Sequence, residues 1–315
     1  MAMNKLMSRE RTFIDLLKPL ARHPAARGLM DDAAVLEAGG MRLVLTHDMI
    51  VEGVHYLPAD PPQDIAWKLV ATNLSDLAAK GARPLGVLLG YALDGTADRD
   101  AAFVDGLRVA LEAFDVPLLG GDTVRMPDAA PRAHGLTAIG EAGGRDVPAR
   151  SGAQAGDILY VTGSIGAAGL GLAMAKGERD GSDAWLQAYR RPQPRLAEGR
   201  ALAPLVHAMA DISDGLLIDA IRMAQASGLA VEVDLDAVPL AADAPDDRAA
   251  RLAAVTAGDD YELLFAAASG LSLSQPGLAR MTPVGRFASG SGLTITDKDG
   301  VVTPPARLGY QHDAA

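Results

Sequence analysis

The sequence predicts a two-domain chain in which helices and strands alternate, an α/β or α+β architecture. Three observations carry this expectation. Segments of helical and of strand period succeed one another up to Glu141 and begin again at Ile158. A turn-rich stretch, Gly143-Gly144-Arg145-Asp146-Val147-Pro148, lies between the two runs and reads as the joint. The length of 315 residues, 49% of them hydrophobic, suits two domains of ordinary size with real cores. We therefore divide the chain into residues 1–147 and 148–315.

The elements follow in order. Phe13, Leu16, Leu17 and Leu20 recur at helical spacing after Ser8, predicting a capped helix over Ser8 to Leu20. Met41 to Asp48 alternates and then turns polar, as a strand does whose C-terminal end carries Thr46, His47 and Asp48. A long helix starts at Pro62 and closes near Gly81, with Asn73 and Asp76 on adjoining surface in its last turns. Leu85 to Leu93 reads as a buried strand, Asp98 to Phe114 as an amphipathic helix, and Val116 to Leu119 as a short strand entering a Gly120-Gly121-Asp122 turn. Ala133 to Glu141 closes the first half as a strand. In the second half, Ile158 to Thr162, Leu229 to Leu235, Tyr261 to Ala267 and Leu293 to Ile295 are predicted strands. Ala167 to Lys176, Arg195 to Val206 and Leu216 to Ala226 are predicted helices.

Composition narrows the function. With 29 Lys plus Arg against 40 Asp plus Glu, the formal charge is −11, and only 4% of residues are aromatic. Nucleic-acid binders rely on clustered cations and stacking rings, so that class is excluded as the primary activity. The chain has no cysteine, so thiolate metal sites, disulfides and a thiol nucleophile are excluded, and any metal must be held by oxygen or imidazole. No apolar run approaches the roughly 20 residues needed to span a bilayer, and Met1 to Arg11 has no signal-peptide core, so a soluble cytoplasmic protein without a membrane partner is expected.

Carboxylates carry the chemical signal. Asp31-Asp32, Asp48, Asp76, Asp122, Asp211, Asp214 and Asp259-Asp260 stand where a strand or helix meets a turn, several beside glycine. Hard cations such as Mg²⁺ take oxygen ligands, one or two carboxylates per ion plus water and phosphate oxygens. Dispersed aspartates meeting in one pocket would recruit the positive charge that the composition lacks. Taken singly, each also fits a cap or turn role, and spacing does not decide between the two. Gly163-Ser164-Ile165-Gly166 follows a strand and opens a helix, yet matches neither standard phosphate-binding fingerprint and reads as helix packing. His55 fits either a loop contact to a ligand or a solvated side chain. No Ser/His/Asp relay can be assembled, and no HExxH sequence occurs.

Six segments in order resemble the thiamine-monophosphate kinases of the aminoimidazole-ribonucleotide-synthetase-like superfamily. They are Asp31-Asp32-Ala33-Ala34-Val35, Thr46 to His55 with its Glu52-Gly53-Val54-His55, Asn73-Leu74-Ser75-Asp76 through Ala82, Gly120-Gly121-Asp122-Thr123-Val124-Arg125, Asp211-Ile212-Ser213-Asp214-Gly215-Leu216, and Gly258-Asp259-Asp260-Tyr261-Glu262-Leu263. The resemblance implies ATP-dependent phosphorylation of thiamine monophosphate to thiamine diphosphate. It also implies a two-domain fold, the N-terminal domain supplying the sheet or barrel of a homodimer and an α/β C-terminal domain completing the site. By motif, Asp32, Thr46, His47, Asp48, Asp76, Asp122, Asp211 and Asp214 resemble the Mg²⁺ and phosphate cluster, and Gly121, Arg150 and Ser213 resemble ATP contacts. His55, Asp259 and Tyr310 resemble substrate contacts, Tyr310 on a short Gly-Tyr match. The chain departs from the family at His47, where Ser or Thr is usual, at Met30, where glycine precedes the aspartates, and at Asp259, which is one methylene shorter than the usual glutamate.

The chemistry implied is in-line attack by a phosphate oxygen on the γ-phosphorus of ATP, with Asp122, Asp211, Asp214 and Arg150 nearest the reaction and no dedicated base. Two alternatives stay open from sequence: an amide-activating relative that also uses ATP, and a metal- or nucleotide-binding module without turnover. A selenophosphate-forming relative is disfavoured by the missing cysteine.

Overall fold

A computed structural model describes residues 9–93, 96–127, 130–143, 146–270 and 277–312. The elements of the first half are α1 (Arg9–Leu17), β1 (Ala34–Ala38), β2 (Met41–Val51), α2 (Pro62–Ala79), β3 (Arg83–Leu93), α3 (Ala97–Ala113), β4 (Leu118–Arg125) and β5 (Ala133–Glu141). Those of the second half are β6 (Ile158–Thr162), α4 (Ala167–Ala175), α5 (Asp183–Arg190), α6 (Leu196–Leu202), β7 (Ala208–Asp211), α7 (Leu216–Ser227), β8 (Leu229–Asp234), α8 (Arg248–Ala257), β9 (Leu263–Ala267), β10 (Met281–Ser289), β11 (Gly292–Asp297) and β12 (Gly300–Val302).

Each half builds one sheet. The first has the order β1-β2-β5-β3-β4, antiparallel except for the β3/β4 pair; the second has the order β12-β11-β8-β10-β6-β9-β7, antiparallel except for β8/β11. The α+β side of the expectation is therefore the one realised. Alternation of more and less buried residues shows in the later part of β5, whereas β6, β7 and β9 are buried along nearly their whole length. Among the described residues, no helix is long and apolar enough to cross a membrane.

Helix α2 is the common element. Every residue from Asp64 to Ala79 is buried, so it has no solvent face, the condition of a helix enclosed by protein on all sides. Its Leu69, Val70 and Leu74 pack in the core of the first half with Val44, Val87 and Leu136, while Ala78 and Ala79 at its end pack with Met209, Leu263 and Phe265 of the second. Enclosing a leucine contributes roughly 1.5–3 kcal/mol. The close approach of α2 to α6 depends on glycine, because a Cβ at Gly199 would lie 1.9 Å from the Ala78 carbonyl oxygen. Indole Nε1 of Trp67 donates to the Pro192 carbonyl at 2.9 Å, and Arg191 pairs with Asp64, so residues 191–192 strap the N-terminal end of the same helix.

The differences from the sequence expectations have local causes. Ser8, the expected cap of α1, lies outside the described residues, as do Gly144 and Arg145 of the joint. The expected turn at Gly120-Gly121-Asp122 is instead the middle of β4, an edge strand exposed along its whole length. Gly121 lets it approach β3, because a Cβ there would lie 1.9 Å from the Leu89 carbonyl oxygen. Strand β7 is four residues long and buried throughout, so it shows no alternation, and β10 contains Pro283 at a register shift that conceals its period. Replacement Gly199→Ala is expected to destabilise the protein by about 1–3 kcal/mol through forced separation of α2 and α6, read from the midpoint of urea unfolding.

Candidate functional site

Strand β2 ends against α2, and alternation sorts its side chains. Thr46 faces inward and is buried, whereas His47, between Thr46 and Asp48, is exposed on the opposite face with Nδ1 2.9 Å from Thr137 Oγ1. The imidazole of His47 therefore lies on the face opposite Thr46, while its backbone carbonyl stays beside Asp48. Asn73 holds strand to helix by accepting the Asp48 N–H at 2.9 Å and donating to the Leu69 carbonyl at 2.9 Å.

Asp76 on α2, Asp211 at the end of β7 and Asp32 ahead of β1 each present a carboxylate oxygen within 4.8 Å of the others. One oxygen of each is already oriented. Thr46 Oγ1 donates to Asp76 Oδ2, Ser75 Oγ donates to Asp211 Oδ2 at 2.6 Å, and Arg150 pairs with Asp32 Oδ1. Asp32 Oδ2 is buried and lies 2.7 Å from Lys80 Nζ, so that oxygen is held by the ammonium. Three carboxylate oxygens so close together fit a hard divalent cation.

The ionisation of the group reflects the same crowding. Burial, reinforced by Asp48, Asp211 and Asp32, pushes the Asp76 carboxyl far up. Burial and the Asp32 charge push Asp211 up to about 8, against the hydrogen bond from Ser75. Asp48 is likewise raised by burial, against the neighbouring His47, with Asp32 and Asp214 adding to the rise. Asp32 goes the other way: burial would raise it, but Arg150 and Lys80 outweigh burial and keep it ionised.

Asp214 begins the turn into α7, paired with Arg222, which also reaches Asp219 at 2.9 Å. Asp219 accepts the backbone N–H groups of Asp214 and Gly215 at 3.2 Å each, fixing that turn. Ser213 meets the next loop through its carbonyl, which accepts the Asp259 N–H at 2.7 Å. A Cβ at Gly258 would lie 2.8 Å from that same carbonyl, and Gly258 has φ +77°, so the tight loop contact requires glycine. Asp122 stands apart on the exposed edge strand opposite Gly90, outside the converging trio, and Gly121 beside it serves strand pairing.

The three residues assigned to substrate lie in one chain of contacts. The His55 and His312 rings are 5.4 Å apart, and His312 meets Tyr310 edge-on at 4.9 Å. Lys68, buried on α2, donates to the His55 carbonyl at 2.9 Å and to Asp259 at 2.7 Å, while Tyr261 donates to the other Asp259 oxygen at 3.0 Å. Burial lowers the His55 pKa despite the nearby Asp259 charge. Sequence reasoning missed Lys68, Ser75, Lys80, Asp219, Arg222, Tyr261 and His312. Ser75, Lys80 and Tyr261 lie inside motifs already singled out, but the others carry no spacing signal.

Residues 30–142 match the family described as AIR synthase related protein, N-terminal domain, and residues 154–299 match its C-terminal domain. A thiamine-monophosphate kinase of Caulobacter vibrioides is 39% identical over 322 aligned positions, covering 94% of this chain and 88% of the relative. The chain belongs to the thiamine-monophosphate kinase family. Among solved structures of this kinase family, "AaThiL complexed with AMPPCP and TMP" superimposes with a TM-score of 0.84 at 28% identity, covering 96% of this chain and 97% of that one. The kinase of Stenotrophomonas maltophilia K279a gives 0.76 at 34% identity, covering 90% and 95%.

A kinase site built on crowded carboxylates should show it in stability. The Asp211 carboxyl is raised when folded, so its favourable contribution is complete below its ordinary value of 3.8 and fades as pH climbs through about 8. Without divalent ions, Asp211→Asn is expected to melt above the unsubstituted protein, by a margin that grows between about pH 4 and pH 8 and levels off above that. Added Mg²⁺ should raise the melting temperature of the unsubstituted protein most at the alkaline end. A margin that shrinks with pH would contradict the electrostatic account.

Proposed function

We propose that the protein transfers the γ-phosphoryl group of ATP to thiamine monophosphate, forming thiamine diphosphate and ADP. The observation that carries this reading is the meeting of Asp32 and Asp76 with Asp211 across the two halves, beside the Arg150 guanidinium. AaThiL binds AMPPCP, a non-hydrolysable relative of ATP, together with TMP, and its resemblance to this chain spans both halves. Bound Mg²⁺, held by Asp32, Asp76 and Asp211 with Asp48 and Asp214 at the margin, would neutralise the charge of the phosphate oxygens.

The chain's own residues then have distinct tasks. Arg150 is fixed by its pair with Asp32 and by its backbone N–H donating to Asp31 at 3.1 Å, and its buried Nε has no protein partner among the described residues. It is poised to meet nucleotide phosphate, with Ser213 and the Gly121 to Asp122 strand as further contacts. Thr46 and Ser75 hold Asp76 and Asp211 in one rotamer. His55, Asp259 and Tyr310 face the acceptor. An oxygen of its terminal phosphate attacks the γ-phosphorus, the bond to the β-γ bridging oxygen breaks, and ADP leaves with that electron pair. The attacking phosphate is already ionised near neutral pH, so no side chain is assigned as base.

We place the reaction in the cytoplasm, where ATP is supplied, and we assign a homodimer formed through the first sheet. Supporting the dimer, β3 and β4 expose Leu88, Leu118, Leu119 and Val124, beside a groove of about 570 Å³ lined in part by Val104, Leu107, Leu111 and Val116. Sedimentation should give a dimer that Val124→Glu shifts toward monomer.

The test of function is ATP consumption that depends on thiamine monophosphate, with thiamine diphosphate identified as product. ADP formation with an amide acceptor, or nucleotide binding without turnover, would replace the reading. Asp76→Asn is expected to lower kcat by about a hundredfold or more while the far-ultraviolet circular dichroism stays unchanged. Near-normal turnover of that variant at saturating Mg²⁺ would remove Asp76 from the cation site.

A further inference from the structure

Lys80, the residue that ends α2, is 1% exposed, with its ammonium enclosed beside Asp32 of the carboxylate trio. Nζ donates to Asp31 Oδ1 and, at 3.1 Å, to the Met209 carbonyl of β7, and lies 2.7 Å from Asp32 Oδ2. A lysine at a helix C-terminus ordinarily reaches back to the last carbonyls of its own helix. The side-chain bonds of Lys80 instead run outward, to Asp31 and to the second half of the chain.

Nor does neutralising Asp31 require it. Arg27 pairs with Asp31 at 2.5 Å while donating to the Val147 and Pro148 carbonyls at 2.9 and 3.1 Å, and the Arg150 backbone N–H adds another bond. Taking an ammonium out of water costs several kcal/mol, which mere duplication of Arg27 would not offset. What Lys80 alone provides is a positive charge touching both Asp32 of the trio and the strand that carries Asp211.

We propose that Lys80 is a tethered monovalent cation: its ammonium fills an oxygen-lined position between Asp31, Asp32 and the Met209 carbonyl, fixing Asp32 for the trio without any dissolved ion. An ammonium and a potassium ion are of similar size, and both accept carboxylate and carbonyl oxygens as neighbours. Lys80 is thus a positioning residue acting through Asp32. The proposal goes beyond the kinase reading and needs no statement about the phosphate acceptor.

Lys80→Met keeps the volume of the stem and removes the charge, opening the position to an ion from solution. Thermal melting and calorimetric Mg²⁺ titration of the full-length protein would be run in KCl, in ammonium chloride and in tetramethylammonium chloride, whose cation is too large to enter, at equal ionic strength. The unsubstituted protein is expected to behave alike in all three salts. In tetramethylammonium, Lys80→Met should melt lower and bind Mg²⁺ about tenfold or more weakly, with K⁺ or ammonium restoring most of both. A variant indifferent to the salt, a variant that stays unfolded in every salt, or an unsubstituted protein whose melting depends on K⁺ would each overturn the proposal. Absence of Mg²⁺ binding by the unsubstituted protein would count against the proposed kinase metal site while leaving the salt dependence of melting to judge Lys80.

Discussion

Asp32, Asp76 and Asp211 bring carboxylate oxygens within 4.8 Å of one another where water is largely excluded. Like charges repel far more strongly there than at the surface, so they must be protonated, paired or bridged by a cation. The protein uses more than one of these solutions. Asp32 is kept ionised by Arg150 and Lys80, whereas Asp76 and Asp211 are driven toward the protonated form by burial and by their neighbours. The hydroxyls of Thr46 and Ser75 orient them without adding positive charge. A net charge of −11, which argues against phosphate binding when treated as an average, thus becomes a local device for gathering cations.

Holding those groups together falls to α2. It supplies Lys68, Asn73, Ser75 and Asp76 along its length and Lys80 at its end, and both sheets pack around it. Spacing along one helix gives a ruler: residues three or four apart share a surface, and residues a turn or two away serve neighbouring functions. Lys68 accordingly reaches the His55 and Asp259 region, while Asp76 and Lys80 reach the trio.

Much of the fold was legible from period alone. Strands β5 and β6 lie where alternation and apolar runs place them, and α2 and α7 where glycine and apolar spacing do. The short or irregular elements were not: β7 is too brief and too buried to alternate, and β10 carries a proline at its irregularity. In the site, Asp32, Asp76 and Asp211 were legible because the motifs that contain them resemble a family. Their convergence was not, since Asp211 meets the other two from a segment more than a hundred residues away. Lys68 was invisible for the same reason, its partner Asp259 lying 191 residues on. His47 shows a different limit, since neighbours in one motif lie on alternate faces of a strand and its ring turns to Thr137 instead of following Thr46.

Because the end of α2 packs into a cluster of the second half, the covalent link is not the only thing that joins the halves. A peptide bond cleaved near Pro148, where Arg27 grips the carbonyls of Val147 and Pro148, would leave two fragments still joined through the buried faces of one helix. The halves are separate as sequence families and sheets, yet the buried end of α2, at Ala78 and Ala79, completes an apolar cluster with Met209, Leu263 and Phe265, so parting them would expose that cluster to water.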